Sequence, residues 1–157
     1  MRTTLRGGAI AMSVLVGALL LAGCSDKTTG STQTLTFTEK DKASQFHPIG
    51  NPTRKGTPPG SGFSVSIPLF DSSNKAVGEL NAVCLATKPS GRTLKGTCSG
   101  TANVPDGQLA LNVGGAVGNN ITGSIVGGNG KYAGATGTFT SQSSGQGSKD
   151  TFNITLP

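Results

Sequence analysis

The sequence predicts an all-β protein, an eight-stranded antiparallel β-barrel, on three observations. Apolar and polar residues alternate at period two in segment after segment, while helical periodicity is nearly absent. Glycine supplies 25 of 157 residues without a Gly-X-Y repeat, which argues for many tight turns and against collagen. The alternating segments follow one another across short turn clusters, as sequential hairpins do. Closing such a meander removes the exposed edges that an open sheet would have to protect.

The chain opens with residues 1–23, which read as a secretory signal: Arg2 and Arg6, an apolar run from Ala9 to Leu21, then small residues. That run is too short for a lasting transmembrane helix. It ends in Leu21-Ala22-Gly23-Cys24, which resembles the lipobox of bacterial lipoproteins; the alternative is an ordinary signal with a chance cysteine. The resemblance implies lipidation of Cys24 and an extracytoplasmic protein anchored to a bacterial membrane by its acyl chains. Residues 24–32 then form a polar tether, and 33–157 the barrel domain.

Within the barrel, Gln33–Glu39 places Leu35 and Phe37 on one face and Thr34, Thr36 and Thr38 on the other. Gly62–Phe70 sets Phe63, Val65, Ile67 and Leu69 against Ser64 and Ser66. Further strands are expected over 76–87, 93–103, 108–114, 119–126, 134–142 and 148–156. Turn clusters separate them, among them Asp71–Lys75, Val104–Gly107, Gly127–Gly130 and Ser143–Gly147. One stretch breaks the rhythm. Residues 42–61 carry Pro48, Pro52, Pro58 and Pro59 together with His47, Arg54 and Lys55. A loop of this length without structure of its own is a functional lid or a disordered segment, and here it would lie over one barrel mouth.

The net charge of +6 suggests nucleic acid only superficially. Removing Arg2 and Arg6 with the leader leaves about +4, scattered along the chain, with one Tyr and six Phe available for stacking. A solvated surface is expected, not a nucleic-acid site. One histidine and three cysteines exclude most metal sites and Ser-His-Asp machinery, and no cofactor is expected. With Cys24 set aside, Cys84 and Cys98 remain, each seven residues from Gly91. A hairpin centred there sets them opposite each other, so a disulfide is favoured over two buried thiols or one reactive thiol.

Several motifs then suggest a relationship. Pro68-Leu-Phe-Asp71, Val77-Gly78, Cys84, Pro105-Asp-Gly-Gln108 and the glycine-paced run Val126–Gly137 resemble the allene oxide cyclase and dirigent superfamily over about residues 33–156. The resemblance implies an eight-stranded antiparallel barrel and, from plant members, a homotrimer. Plant cyclases guide ring closure inside an apolar barrel with a first-strand carboxylate and a water held by polar neighbours. Aligned on Leu35–Asp41, Thr36 falls at the carboxylate and Thr38 at an asparagine. Ser44 keeps a serine, Gln45 replaces a proline, Ile67 replaces another asparagine, and Cys84 matches a cavity cysteine. Thr136 stands where dirigent proteins carry an arginine, and 119–126 lacks their aspartate. These departures imply neither the plant cyclase nor the lignan-forming reaction.

Thr36, Thr38, Ile67 and Cys84 are the pocket-lining residues this alignment implies. Glu39 and Asp41 form the one close carboxylate pair, able to act as an acid/base couple in a cavity or to stand solvated beside Lys40 and Lys42. Glu79 is a second acid that could point inward. His47 is the chain's one histidine, the residue type suited to general-base work. Tyr132 packs its ring against its turn or offers its hydroxyl to a mouth. Gly127-Gly-Asn-Gly-Lys131 is a hairpin turn, not a phosphate loop, because Tyr132 follows where Ser or Thr would bind Mg²⁺. The expected partner is a small apolar molecule, bound and guided through cyclisation or isomerisation by pocket shape. The alternative is a non-catalytic envelope barrel whose Thr- and Ser-rich outer face makes protein or wall contacts.

Overall fold

The computed structural model describes residues 30–40, 42–51, 56–89, 94–117, 120–145 and 147–157. The leader, Cys24, most of the tether and Asp41 lie outside the described residues. The strands are β1 (Thr32–Lys40), β2 (Phe46–Ile49), β3 (Gly62–Phe70), β4 (Ala76–Ala86) and β5 (Leu94–Val104). They continue with β6 (Gly107–Val117), β7 (Asn120–Gly130), β8 (Thr136–Ser144) and β9 (Gly147–Thr155). From β3 to β9 each strand pairs antiparallel with the next, β9 pairs with β1, and β1 meets β3 at Thr38↔Phe70. Eight strands therefore close a barrel, as the alternation predicts, and β2 is an addition to it.

That addition corrects the expectation that 42–61 has no structure of its own. Ala43–Gln45 forms a 3₁₀ turn and β2 follows it directly. β1 reaches β3 only near the far end of β3, so the start of β3 has an open edge; β2 fills it in the register Phe46↔Val65 to Ile49↔Gly62. The strand is four residues long and contains Pro48, which is tolerable only because β2 is itself an edge strand.

Inward residues follow period two with consistent parity. Ile67 faces Leu80 and Ala102 across β3, β4 and β5, and the next inward set is Val65, Ala82 and Gly100. Outward positions on β1, β8 and β9 are largely Thr, Gln, Lys and Asn, so these outer faces suit water, unlike the apolar band of a membrane barrel.

The barrel's two ends differ. At one end the strands are joined by Asp71–Lys75, Pro105-Asp106 and Lys131–Ala135, and the interior is plugged by Leu69, Leu109, Phe152 and Ile154, all at most 1% exposed. Phe152 meets Phe139 at 5.0 Å and Phe37 at 5.9 Å between ring centroids, so one β9 side chain holds β1 and β8 together. Burying each such side chain contributes roughly 1.5–3 kcal/mol. The glycine-paced run forms the β7–β8 hairpin turn. Gly137 there has φ 147°, and a side chain would run into the Asn153 carbonyl of β9.

Tyr132 closes the plugged end. Its ring is buried and its hydroxyl donates to the Pro105 carbonyl at 3.0 Å, tying the β7–β8 turn to the β5–β6 turn. Burial, helped by the nearby Asp106 charge, raises the phenol above its usual pKa.

Candidate functional site

The other half of the barrel is hollow. A cavity of about 340 Å³ lies between the plug and the mouth formed by the ends of β1, β4, β6 and β8. That is the small end of the range for ligand pockets. Its wall is mostly apolar: Val65, Ile67, Leu80, Ala82, Leu111, Val113, Ile121 and Phe139 project into it from β3, β4, β6, β7 and β8. Phe46 of β2 joins the wall beside Phe63, their ring centroids 5.6 Å apart. The Pro-rich connection thus supplies part of the wall through Phe46.

Cys84 and Cys98 are directly paired residues of β4 and β5 and form a disulfide. Both are buried and line the cavity, so the bridge serves as part of the pocket wall. The symmetric spacing about Gly91 anticipated the pairing, because opposed positions of one hairpin are fixed by their distance from its turn.

One side of the lumen is polar. Glu39, Ser141, Ser143 and Ser148 line the cavity, and Glu39 and Ser141 are each 6% exposed. Register explains the grouping: Glu39 pairs with Ser148, which pairs with Ser143, in one inward layer. The layer below joins Phe37, Asp150 and Ser141, with Asp150 fully buried. Glu39 and Asp150 are diagonal neighbours, a spacing of roughly 7–8 Å between paired strands. One carboxyl and three hydroxyls therefore line the chamber from β1, β8 and β9, with Asp150 buried next to them.

The sequence candidates divide accordingly. Glu39, Ile67 and Cys84 line the cavity. Thr36 and Thr38 do not: both are exposed on the outer face, a correction to the pocket-lining set. Period two forces this, since Phe37 and Glu39 face inward and their neighbours must face out. On β1 the inward-facing acid is Glu39.

His47 also stays out of the lumen. It is exposed, faces outward opposite Ser64, and borders a shallow outer groove with Ser66, Asn81 and Thr101. Glu79 sits on the same outer face. Its carboxylate accepts hydrogen bonds from the Ser66 hydroxyl at 2.5 Å and the Asn81 amide at 3.0 Å, which together hold it below its usual pKa against a small desolvation effect.

Asp150, Ser141, Ser143 and Ser148 escaped the sequence reading. A signal existed in the alternation: Ser148 and Asp150 are in phase with Phe152 and Ile154, and Ser141 and Ser143 with Phe139, so the pattern that turns those aromatic and aliphatic side chains inward turns these inward as well. Among the described residues, no cluster of three His, Cys, Asp or Glu side chains could hold a metal ion.

The fold is a dirigent-type barrel. The described structure is similar to pyocyanin demethylase, with TM-score 0.63 and 22% identity over 79% of this chain and 99% of that one. It is similar also to two pterocarpan synthase dirigent proteins. One gives TM-score 0.56 at 16% identity over 81% of this chain and 84% of the other. The second gives 0.55 at 17%, over 80% and 94%. Identities this low establish a shared fold. No family model and no curated protein sequence matches the chain.

Proposed function

We propose that this barrel binds a small, largely apolar molecule carrying one hydrogen-bonding group, held outside the cytoplasm on a lipid anchor at Cys24. The observation that carries the reading is the 340 Å³ chamber, apolar on most sides, with Glu39 and its serines on one side. Such a chamber selects by shape and orients by its few polar contacts. The similar structures support it by name, since pyocyanin and pterocarpans are small organic molecules.

Chemistry follows from the same geometry. Walls of fixed shape restrict a flexible ligand to few conformers, which favours cyclisation or isomerisation. Glu39 is positioned to accept a hydrogen bond from the bound molecule or to move a proton within it. The structural alternative, an envelope barrel acting through its outer face, has only open grooves to offer among the described residues. The outer amides are turned on one another, Asn129 donating to Gln108 at 2.8 Å and Gln108 to Asn103 at 2.5 Å.

The test is native mass spectrometry of the full-length protein after exposure to lipid and small-molecule extracts. The wild type should retain a small molecule and Ala82→Trp, which fills the chamber, should not. Retention by neither, or equally by both, overturns the pocket reading. The same spectra report whether the chain forms the homotrimer that the family resemblance implies. Cys24→Ser should release the protein from membranes; continued tight association would refute the anchor.

A further inference from the structure

The lysines that look scattered along the sequence are sorted by the fold. Lys40 ends β1, Lys42 follows it, Lys88 follows β4, Lys95 begins β5 and Lys149 begins β9. Four of these, Lys42, Lys88, Lys95 and Lys149, lie toward the mouth, and all five side chains are exposed. Lys40 is apart from them: its ammonium turns back to 4.6 Å from the centre of the Phe70 ring, at the end of β3 that leads into the plugged-end turn. The mouth charges come from the β1–β9 side and the β4–β5 side, and the rim of β6, β7 and β8 carries none among the described residues.

Among the described residues no exposed carboxylate stands beside these mouth lysines; Asp41, between Lys40 and Lys42 in sequence, lies outside the described residues. Among the described residues, the acids on the mouth half are Glu39 and Asp150, both inside the barrel. Asp71, Glu79 and Asp106 lie on the plugged half, where they accompany Lys75, Lys131 and the Lys40 ammonium. The plugged end is thus balanced and the mouth carries a partial cationic collar, on two sides of an apolar chamber. Low-dielectric walls focus such a field into the opening and raise the local concentration of anions.

We propose that the ligand is an amphipathic anion: an apolar body seated in the chamber, a hydrogen-bond donor turned to Glu39 and its serines, and a carboxylate, sulfate or phosphate left at the lysine collar. The polarity is set by the two regions together. Glu39 and its serines offer oxygen acceptors to a donor group deep in the lumen, while the lysines favour an anionic group at the rim. This assignment rests on the chamber being a ligand pocket.

The experiment compares two probes that differ by one charge, naphthol and hydroxynaphthoate, binding to the full-length protein in neutral detergent. Isothermal titration calorimetry supplies the readout, with micelles alone as blank. Hydroxynaphthoate should bind about tenfold more tightly than naphthol near 10 mM salt, and the advantage should shrink to about twofold near 1 M as screening shortens from about 30 Å to about 3 Å. Two charge-matched double variants locate the effect. K88E/K95E at the mouth should cut the advantage by about fivefold at low salt, whereas K75E/K131E at the plugged end should leave it within about twofold. Equal affinity for the two probes in the wild type, or equal loss in both double variants, overturns the collar and leaves the pocket reading standing. If neither probe binds, the pocket reading fails and this one with it.

Discussion

Removing the Cys84–Cys98 bridge tests how much of the barrel's stability is chain entropy and how much is packing. The two cysteines are 14 residues apart in sequence. In the chain-entropy account, releasing a loop of that size costs about 3 kcal/mol. For a barrel of this size that corresponds to a Tm loss of about 10 °C. The sulfur atoms also fill part of the cavity wall, so C84A/C98A deletes buried volume as well as the cross-link. Reducing the wild type removes only the cross-link. Thermal unfolding of the wild type with and without reductant, beside the double variant, separates the contributions. Reduction should account for most of the loss, and the double variant should fall further by roughly 1 kcal/mol for lost sulfur contacts. A reduced wild type within about 2 °C of the oxidised protein would refute the entropic argument, because the hairpin would then be holding its own ends together. Mass mapping under non-reducing conditions must show the Cys84–Cys98 link in the starting material.

Three further predictions follow from single side chains. Phe152→Ala should destabilise by about 3–5 kcal/mol, since it empties the plug and removes the ring contacts to Phe37 and Phe139; chemical denaturation measures it, and a loss below about 1.5 kcal/mol would mean that the plug is loosely packed. Tyr132→Phe should cost about 1 kcal/mol, the lower range for a hydrogen bond, because the exposed Pro105 can offer its carbonyl to water instead. Tyr132 is the chain's single tyrosine, so absorbance titration reads it directly. Its transition should fall above the usual value of about 10, and stability should decline as pH rises through that range. Glu79 has the opposite sign: its lowered pKa contributes stability at neutral pH that is lost as pH falls through the ordinary Glu range and below. Glu79→Gln should therefore be less stable than wild type near pH 6 and converge with it near pH 3; a constant gap would assign Glu79 no pH-linked role.

The first-strand threonines show where a sequence argument needs its own physics kept in view. Leu35 and Phe37 define an inward face, and that alternation already sends Thr36 and Thr38 outward. The motif alignment placed the same threonines in the pocket. The structure sides with the alternation, because a one-residue slip in a strand reverses every side chain. Glu39 belongs to the inward face by the same count, which is why it lines the chamber.

What the sequence determined by itself was local. Period-two patterning sets eight strands and the inward face of each, turn residues set their order, and two cysteines equidistant from one turn set a pairing. All of these depend on neighbours within about a dozen residues. The tertiary structure decided what depends on strands distant in sequence. β2 exists because β3 has an open edge that β1 leaves uncovered. The polar layer of Glu39, Ser148 and Ser143 exists because β1 closes onto β9, more than a hundred residues later in the chain. The lysine collar exists because antiparallel closure carries alternate loops to the same end. Alternation records which way a side chain faces; only the closed register determines what it faces.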